Sequence, residues 1–426
     1  MRKAYKFRLL PNKEQASFID KTIGCSRLIY NLLLGDYKEQ LENHEEAIRI
    51  KKVSFFKEKE EYNFLKEVDS LSLSNSWMNL KSAISNFYNS KKGLRRGKKI
   101  GFPKFHSKHK NKWKYTTSNQ GGNVRIVDDR IKLPKVGFIK LIQHREILGE
   151  ISSCTIEKTR DGKYYISILT DWSFSDFKKK EELSKKSPSE LKKELRVVGI
   201  DMSLSSFSID SSDTKTKYTR LYRKNEKKRS KLQRKLSRTM PDSSGRERAR
   251  VKLAKLDRHI ANSRLDYCHK LSRYYAKNYD IIVLEDINLQ SLSKGGYHLG
   301  KSINDMGFGM FRNFLSYKCI EEDSLVMYVP KYFPSSKMCH ECGTINSLLK
   351  LSDREWVCSE CGCILNRDKN ASLNLRDYFY NVLENIEINT AGTAEINASG
   401  EDTSTLRFTL MQAASLKEEV PSFRWE

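Results

Sequence analysis

The sequence predicts a multidomain chain of α/β and β class: a helical segment near the N-terminus, an antiparallel sheet or small barrel, and then an α/β unit interrupted by a metal-binding insertion. Three observations carry this expectation. Apolar periodicity is helical at first, changes to short alternating runs, and ends as apolar strands separated by long helices. Lys and Arg number 79 against 53 Asp and Glu, a formal charge of +26 over 426 residues, so the chain expects a polyanion as partner. Four of the nine cysteines form two CxxC pairs.

The elements follow in order. AYKFRLLPN alternates like a short strand and stops at Pro11, after which KEQASFIDKTIGCSRLIYNLLLGDYKEQ, NFLKEV and SWMNLKSAISNFYNS place apolar residues at helical spacing over 13–90. The next stretch, KKGLRRGKKIGFPKFHSKHKNKWKYTTSN, is basic and interleaved with Phe102, Phe105, Trp113 and Tyr115, a pattern suited to tracking a nucleic-acid backbone while the rings stack. From Asn123 to Asp171 short alternating runs separated by Gly, Pro and Asp turns read as antiparallel strands. FKKKEELSKKSPSELKKEL is charged and poor in apolar periodicity, which makes 173–194 the expected linker.

A new domain is expected near Leu195. RVVGIDMSLSSFSIDS reads as strand, turn and strand. Two basic helices around the turn PDSSG read as an antiparallel hairpin, the second with Leu253, Leu256, Ile260, Tyr267, Leu271 and Tyr274 on one stripe. YDIIVLED is a buried strand ending in acids, followed by a helix with Phe311, Phe314 and Leu315 and by the strand SLVMYVP. Strands broken by a helical excursion are what an RNase H-like core looks like in sequence. No window has the roughly 18 apolar residues of a membrane span, and MRKAYKFRLLPNKEQ lacks the apolar stretch of a signal peptide. A cytoplasmic protein with reduced thiols is expected.

Cys339 and Cys342 are followed after fifteen residues by Cys358 and Cys361, the spacing of a zinc ribbon. Each CxxC turn aims two thiolates at one ion, the Gly after each pair permits the tight backbone, and four thiolates close the coordination sphere, so this zinc is expected to be structural. Cys363 falls outside the pattern. Three carboxylates, Asp201 after VVGI, Glu285 after IIVL, and Asp368 at the start of the helix NRDKNASLNLRDYF, sit where strand ends and a helix start can converge. Together they would repel one another unless divalent cations neutralised them, and hard oxygen ligands suit magnesium. Two such ions serve phosphodiester hydrolysis. Asp286 competes with Glu285, and Asp210, Asp213 and Asp377 are the competitors for the other two; all four are expected to be surface or capping residues.

These segments resemble the TnpB proteins encoded by insertion sequences, ancestors of the type V CRISPR effectors. VVGIDMSLSSFSIDS is similar to the first RuvC motif, IIVLEDINLQSL to the second, and FPSSKMCHECG through CGCILNRDKNASLNL to the zinc ribbon running into the third. KAYKFRLLPNKEQ, GFPKFHSKHKNKWKYTTSN and the tail NTAGTAEINASGEDTSTL are similar too, so the resemblance spans nearly the whole chain. Two departures stand out: Ser203 where Gly is frequent, and Asn366 where an acid is frequent.

The resemblance implies a wedge β-barrel of oligonucleotide-binding type from 1–12 and 91–172, a helical recognition domain at 13–90, a RuvC-like nuclease domain at 195–384 containing the zinc ribbon at 338–365, and a tail at 385–426. It implies an RNA-guided DNA endonuclease that binds a guide RNA from its element's end, recognises a short target-adjacent motif, and cleaves double-stranded DNA with Mg2+ or Mn2+ at Asp201, Glu285 and Asp368. It further implies a monomer, associated with the nucleoid of a prokaryote and needing no protein partner. Nucleic-acid contacts are expected at Arg95, Arg96, Lys98, Lys99, Lys104 and Lys108, and on the hairpin at Arg223, Lys227, Lys228, Arg229, Lys231, Arg234 and Lys235. A compact type V CRISPR effector and a guided repressor without cleavage are the alternatives. The repressor would have lost carboxylates.

Overall fold

Alternation in RKAYKFRLL sends Tyr5, Phe7 and Leu9 to one buried face and builds strand β1 (Arg2–Leu10). Pro11 ends the strand, and Asn12 opens helix α1 (Lys13–Glu42) through a reciprocal capping box with Gln15. The structure, a computed structural model, describes residues 2–44, 48–95, 97–108, 113–171, 188–287, 299–331, 333–350 and 352–391. The chain divides into two units, Met1–Phe174 and Ser175–Glu426.

In the first unit α1, α2 (Val53–Lys57), a 3-10 turn (Glu60–Lys66) and α3 (Ser70–Lys91) enclose a core that includes Ile29, Leu33, Leu65, Leu73 and Leu80. Strands β2 (Trp113–Ser118), β3 (Arg125–Val127), β4 (Arg130–Leu133), β5 (Gly137–Ile142), β6 (Glu150–Lys158) and β7 (Tyr164–Asp171) join β1 in one antiparallel sheet, ordered β2-β6-β7-β1-β5-β4-β3. The expected row of stacking rings is largely absent. Phe102 packs on Phe87 of α3 at 5.2 Å, and Tyr115 lies inside the sheet core. Trp113 is half-buried and donates its indole N–H to Lys108 O at 2.7 Å. Phe105 alone is open, 51% exposed with Lys38 Nζ 4.6 Å over its ring. The helical core claims Phe102, and the sheet core claims Tyr115 and the buried side of Trp113.

The first described element of the second unit is α4 (Pro188–Glu194), inside the segment expected as a linker. Leu191 and Leu195, one turn apart, supply the apolar stripe that the surrounding charges obscure, and both are buried. The rest of that expected linker, 173–187, lies outside the described residues. Strands β8 (Val197–Asp201), β9 (Ser208–Asp210) and β10 (Lys215–Thr216) are followed by helices α5 (Leu221–Arg238) and α6 (Ser244–Asn278). Then come β11 (Ile281–Glu285), α7 (Gly300–Met306), α8 (Phe308–Glu321), β12 (Leu325–Val329), the hairpin β13 (Glu355–Val357) and β14 (Ile364–Asn366), and finally α9 (Arg367–Ala391). Helix α9 passes the expected boundary at 384, and the tail from 392 lies outside the described residues.

The sheet order is β10-β9-β8-β11-β12, antiparallel across β10-β9-β8 and parallel across β8-β11-β12. Both faces are covered, as parallel strands require. Val198, Ile200, Ile282 and Leu284 face Tyr275 of α6 and Phe311 and Leu315 of α8, whereas Val197, Ile281 and Val283 face Leu375, Phe379 and Leu383 of α9. On the expected stripe of α6, Tyr274 is exposed and Tyr275 takes the core position, donating its hydroxyl to Asp210 Oδ2 at 3.0 Å. A Cβ on Gly199 would meet Ser372 O at 2.1 Å and Arg376 N at 2.4 Å, so α9 rests on β8 backbone to backbone.

Gly199→Ala should therefore lower stability by at least about 3 kcal/mol, because two backbone atoms would have to retreat. Gly24→Ala, inside α1 where nothing lies within 4 Å of the added atom, should raise it by roughly 0.5–1 kcal/mol through helix propensity. Denaturant unfolding of the full chain reads both signs.

Candidate active site

Side chains on a strand alternate between faces, so Val197, Gly199 and Asp201 share the α9 face of β8, and Ile281, Val283 and Glu285 share the α9 face of β11. The parallel register pairs Val283 with Gly199 and Leu284 with Ile200, which sets Glu285 beside Asp201 at the carboxyl end of the sheet. Asp368 lies in the first turn of α9, seven residues before Leu375, the side chain that meets Gly199. One face of that helix thus carries both the contact with β8 and the third acid. Burial raises the Asp201 carboxyl, the charges of Glu285 and Asp368 raise it further, and Arg367 and Arg354 offset only part, leaving it pushed up to about 8.

The neighbours of the acids are distinct. Ser335 donates its hydroxyl to Glu285 Oε1. Arg354, just ahead of β13, places Nη1 3.2 Å from Asp368 Oδ1 and 3.5 Å from Oδ2. Nothing in the spacing of SDREWVC marks this arginine. It becomes visible only when the β13–β14 hairpin folds back on the start of α9.

Asp286, of opposite parity to Glu285, instead pairs with Arg312 at 3.1 Å. Asp210 is fully buried, not a surface residue, and accepts the Ser212 and Thr214 amides, both at 3.0 Å. Asp213 pairs with Lys369 and Asp377 with His340 and Arg376. The two departures from the family pattern have local explanations. Asn366 accepts the Lys369 amide at 3.2 Å, an N-cap bond that opens α9, and Ser203 is outside the left-handed region, so no glycine is needed there.

Cys339, Cys342, Cys358 and Cys361 bring their sulfurs within 4.8 Å of one another. The pairs Cys339–Cys361 and Cys342–Cys358 are 3.6 and 3.5 Å apart, close to the ~3.8 Å edge of a tetrahedron with zinc–sulfur bonds of about 2.3 Å. Gly343 and Gly362 take φ of 77° and 72°, closing knuckles in which each donates its amide to the first cysteine's carbonyl. The Thr344 hydroxyl and amide hold the Cys342 thiol down to about 6, favouring the thiolate that a metal needs. The four thiolates form a set that could hold one structural zinc.

Among the basic residues, Arg95, Lys98, Lys99, Lys104 and Lys108 are exposed, while Arg96 lies outside the described residues. On α5, which buries none of its residues, Arg223, Lys227, Lys228, Lys231, Arg234 and Lys235 are exposed. Arg229 differs: it is half-buried and pairs with Asp257 of α6 at 2.8 Å, tying the two hairpin helices together. Buried Asp305 accepts the amides of Tyr222 and Arg223 at 3.1 and 3.2 Å, which fixes the N-terminus of this basic helix.

Three protein families match segments of the chain: one described as "Probable transposase" over residues 179–295, one as a helix-turn-helix domain over 1–46, and one as a Cas12f1-like TNB domain over 308–375. Relatives from Streptomyces pristinaespiralis and Escherichia coli K12 carry the name "Putative RNA-guided DNA endonuclease", the second with the suffix InsQ. Both are 28% identical, the first over 88% of this chain and 89% of its own length, the second over 87% and 91%. Together these matches support the TnpB family for this chain. A solved structure of a Cas12f1–sgRNA–target DNA complex shares 14% identity, covering 86% of this chain and 83% of that one at a TM-score of 0.48. Over the residues matched as helix-turn-helix, the described part of the chain has one strand and a single 30-residue helix. Among the described residues no helix is long and apolar enough to cross a membrane.

The raised Asp201 carboxyl sets a pH dependence for the metal-free protein. The folded state keeps this proton up to about 8, whereas the unfolded chain releases it near 3.8, so ionisation of this group costs the folded state stability as pH rises between those values. In chelator, Asp201→Asn should melt above the parent at pH 8, and the difference should shrink towards pH 4. Differential scanning calorimetry across that range measures it, and a difference that does not vary with pH would contradict the clustering.

Proposed function

We propose that this chain is an RNA-guided DNA endonuclease that cleaves double-stranded DNA in a single RuvC-type centre of Asp201, Glu285 and Asp368. The convergence of the three acids carries the reading: two strand-end carboxylates side by side, a third from the facing helix, and an Asp201 proton held by burial and by the charges of Glu285 and Asp368. The order of three antiparallel strands followed by two parallel ones supports an RNase H-like core. The names of the two relatives supply the RNA-guided part of the proposal.

The donor set is of the kind that takes a hard divalent cation: three carboxylates, among which Asp201 is raised by burial and further by the charges of Glu285 and Asp368. Mg2+, as one ion or two, would be held by Asp201, Glu285 and Asp368 and would supply charge neutralisation for attack on a phosphodiester. Ser335 orients Glu285, and Arg354 and Arg367 add positive charge beside a bound phosphate. Cys339, Cys342, Cys358 and Cys361 hold one structural Zn2+.

Guide RNA and the RNA–DNA hybrid would be met by backbone charge, which a net +26 favours. In this proposal a short motif beside the target is read before pairing, and the protein works as a monomer. The exposed Lys227, Lys228, Lys231, Arg234 and Lys235 contact phosphates from α5, and Lys98, Lys99, Lys104 and Lys108 do so from the basic loop.

The test is cleavage of a matched duplex by the protein purified with RNA from its own element, in Mg2+. Asp201→Ala and Glu285→Ala should each reduce cleavage by ~10³-fold or more while leaving guide-RNA affinity within about twofold. Cleavage at the parent rate by both variants would refute the assignment.

A further inference from the structure

The loop leaving β12 returns to the acid cluster by a route that the mechanism above uses only at its end. Val329, the last residue of β12, pairs with Glu285. Six residues later Ser335, itself buried, donates its hydroxyl to Glu285 Oε1. That hydroxyl can orient the carboxylate only if the backbone at Ser335 is fixed.

Two buried asparagines of α9 fix it. Asn374 Nδ2 donates to Ser335 O and to Met338 O, both at 2.7 Å. Asn370 Nδ2 donates to Met338 O at 2.7 Å and reaches Ser335 O at 3.5 Å, while its Oδ1 accepts the His340 amide at 2.9 Å. Each of the two carbonyls thus receives two donors, one for each lone pair. Asn370 and Asn374 stand one turn apart on the same side of α9, roughly a third of a turn around the helix from the side that carries Asp368 and Leu375. Met338 and His340 flank Cys339, so the clamp also holds the first cysteine knuckle to this helix.

We propose that Ser335, held by Asn370 and Asn374, is a positioning residue that sets the Glu285 carboxylate relative to Asp368 and thereby the affinity of the carboxylate centre for a divalent cation. The helix that supplies Asp368 also anchors the support of Glu285, so one rigid element determines where two of the three acids stand. An apolar side chain at 370 or 374 would take from each of the two buried carbonyls one of its two donors. The inference rests on reading Asp201, Glu285 and Asp368 as the cation site.

The experiment uses the nucleic-acid-free, zinc-replete full chain and measures Mn2+ binding by electron paramagnetic resonance, with zinc content and melting temperature followed in parallel. Ser335→Ala should weaken Mn2+ binding about tenfold, in the range seen when outer partners of metal ligands are removed. Asn374→Ala should weaken it in the same direction even though its melting temperature also falls. The double variant should be no weaker than the worse single one, since both break the same relay. Unchanged Mn2+ affinity in Ser335→Ala, or a double variant that multiplies the two single effects, would overturn the proposal. Glu285→Gln separates the two levels. If it binds Mn2+ as the parent does, the cation site itself is misassigned. If it loses the site while Ser335→Ala keeps parent affinity, only the positioning role falls.

Discussion

The second unit depends on one close approach, that of helix α9 to strand β8 at Gly199. A strand and a helix ordinarily keep a layer of side chains between them. Here the missing Cβ lets the Ser372 carbonyl and the Arg376 amide come down onto the strand. The consequence reaches both ends of α9. Towards its C-terminus Leu375, Phe379 and Leu383 close the hydrophobic layer over Val197, Ile281 and Val283. At its N-terminus Asp368 is brought to the acids that end β8 and β11, and any side chain at 199 would lift the helix and open that cluster.

Electrostatics in the site then follow from packing. Burial at the end of β8 desolvates Asp201, and desolvation is the largest cause of its raised pKa, ahead of the charges of Glu285 and Asp368. Arg354 and Arg367 temper this without cancelling it. The surrounding ionic residues are mostly paired locally, as with Asp286 and Arg312, Asp377 and Arg376, or Asp213 and Lys369. The excess negative charge is thereby concentrated where a cation and a phosphate would be met, in a chain whose surface is otherwise strongly basic.

What could be read from the sequence was set by period and spacing. Two CxxC pairs fifteen residues apart determine a knuckle almost by themselves, because a local turn fixes each pair of sulfurs. Asp201 and Glu285 were legible as the ends of apolar runs, and the choice of Glu285 over Asp286 agrees with strand parity. Other features depend on contacts distant in sequence and left no local trace. Arg354 reaches Asp368 only through the β13–β14 turn, Asn366 reveals itself as a cap only once α9 starts beside it, and Phe102 and Tyr115 are taken by cores that composition alone could not locate. On α6 a one-residue difference in helical phase separates the exposed Tyr274 from the buried Tyr275. Helix α4 was hidden because two leucines among many charges are a weak periodic signal.

The proposed cation site of Asp201, Glu285 and Asp368 depends on the packing of α9 at Gly199. Its most direct test is a crystal structure of the full chain grown with Mn2+ and recorded at the manganese absorption edge. The expected result is anomalous density ligated by oxygens of all three acids, with α9 seated on Gly199. Manganese bound instead through Asp286 or Asp210, or no density among the three acids at saturating Mn2+, would contradict the account.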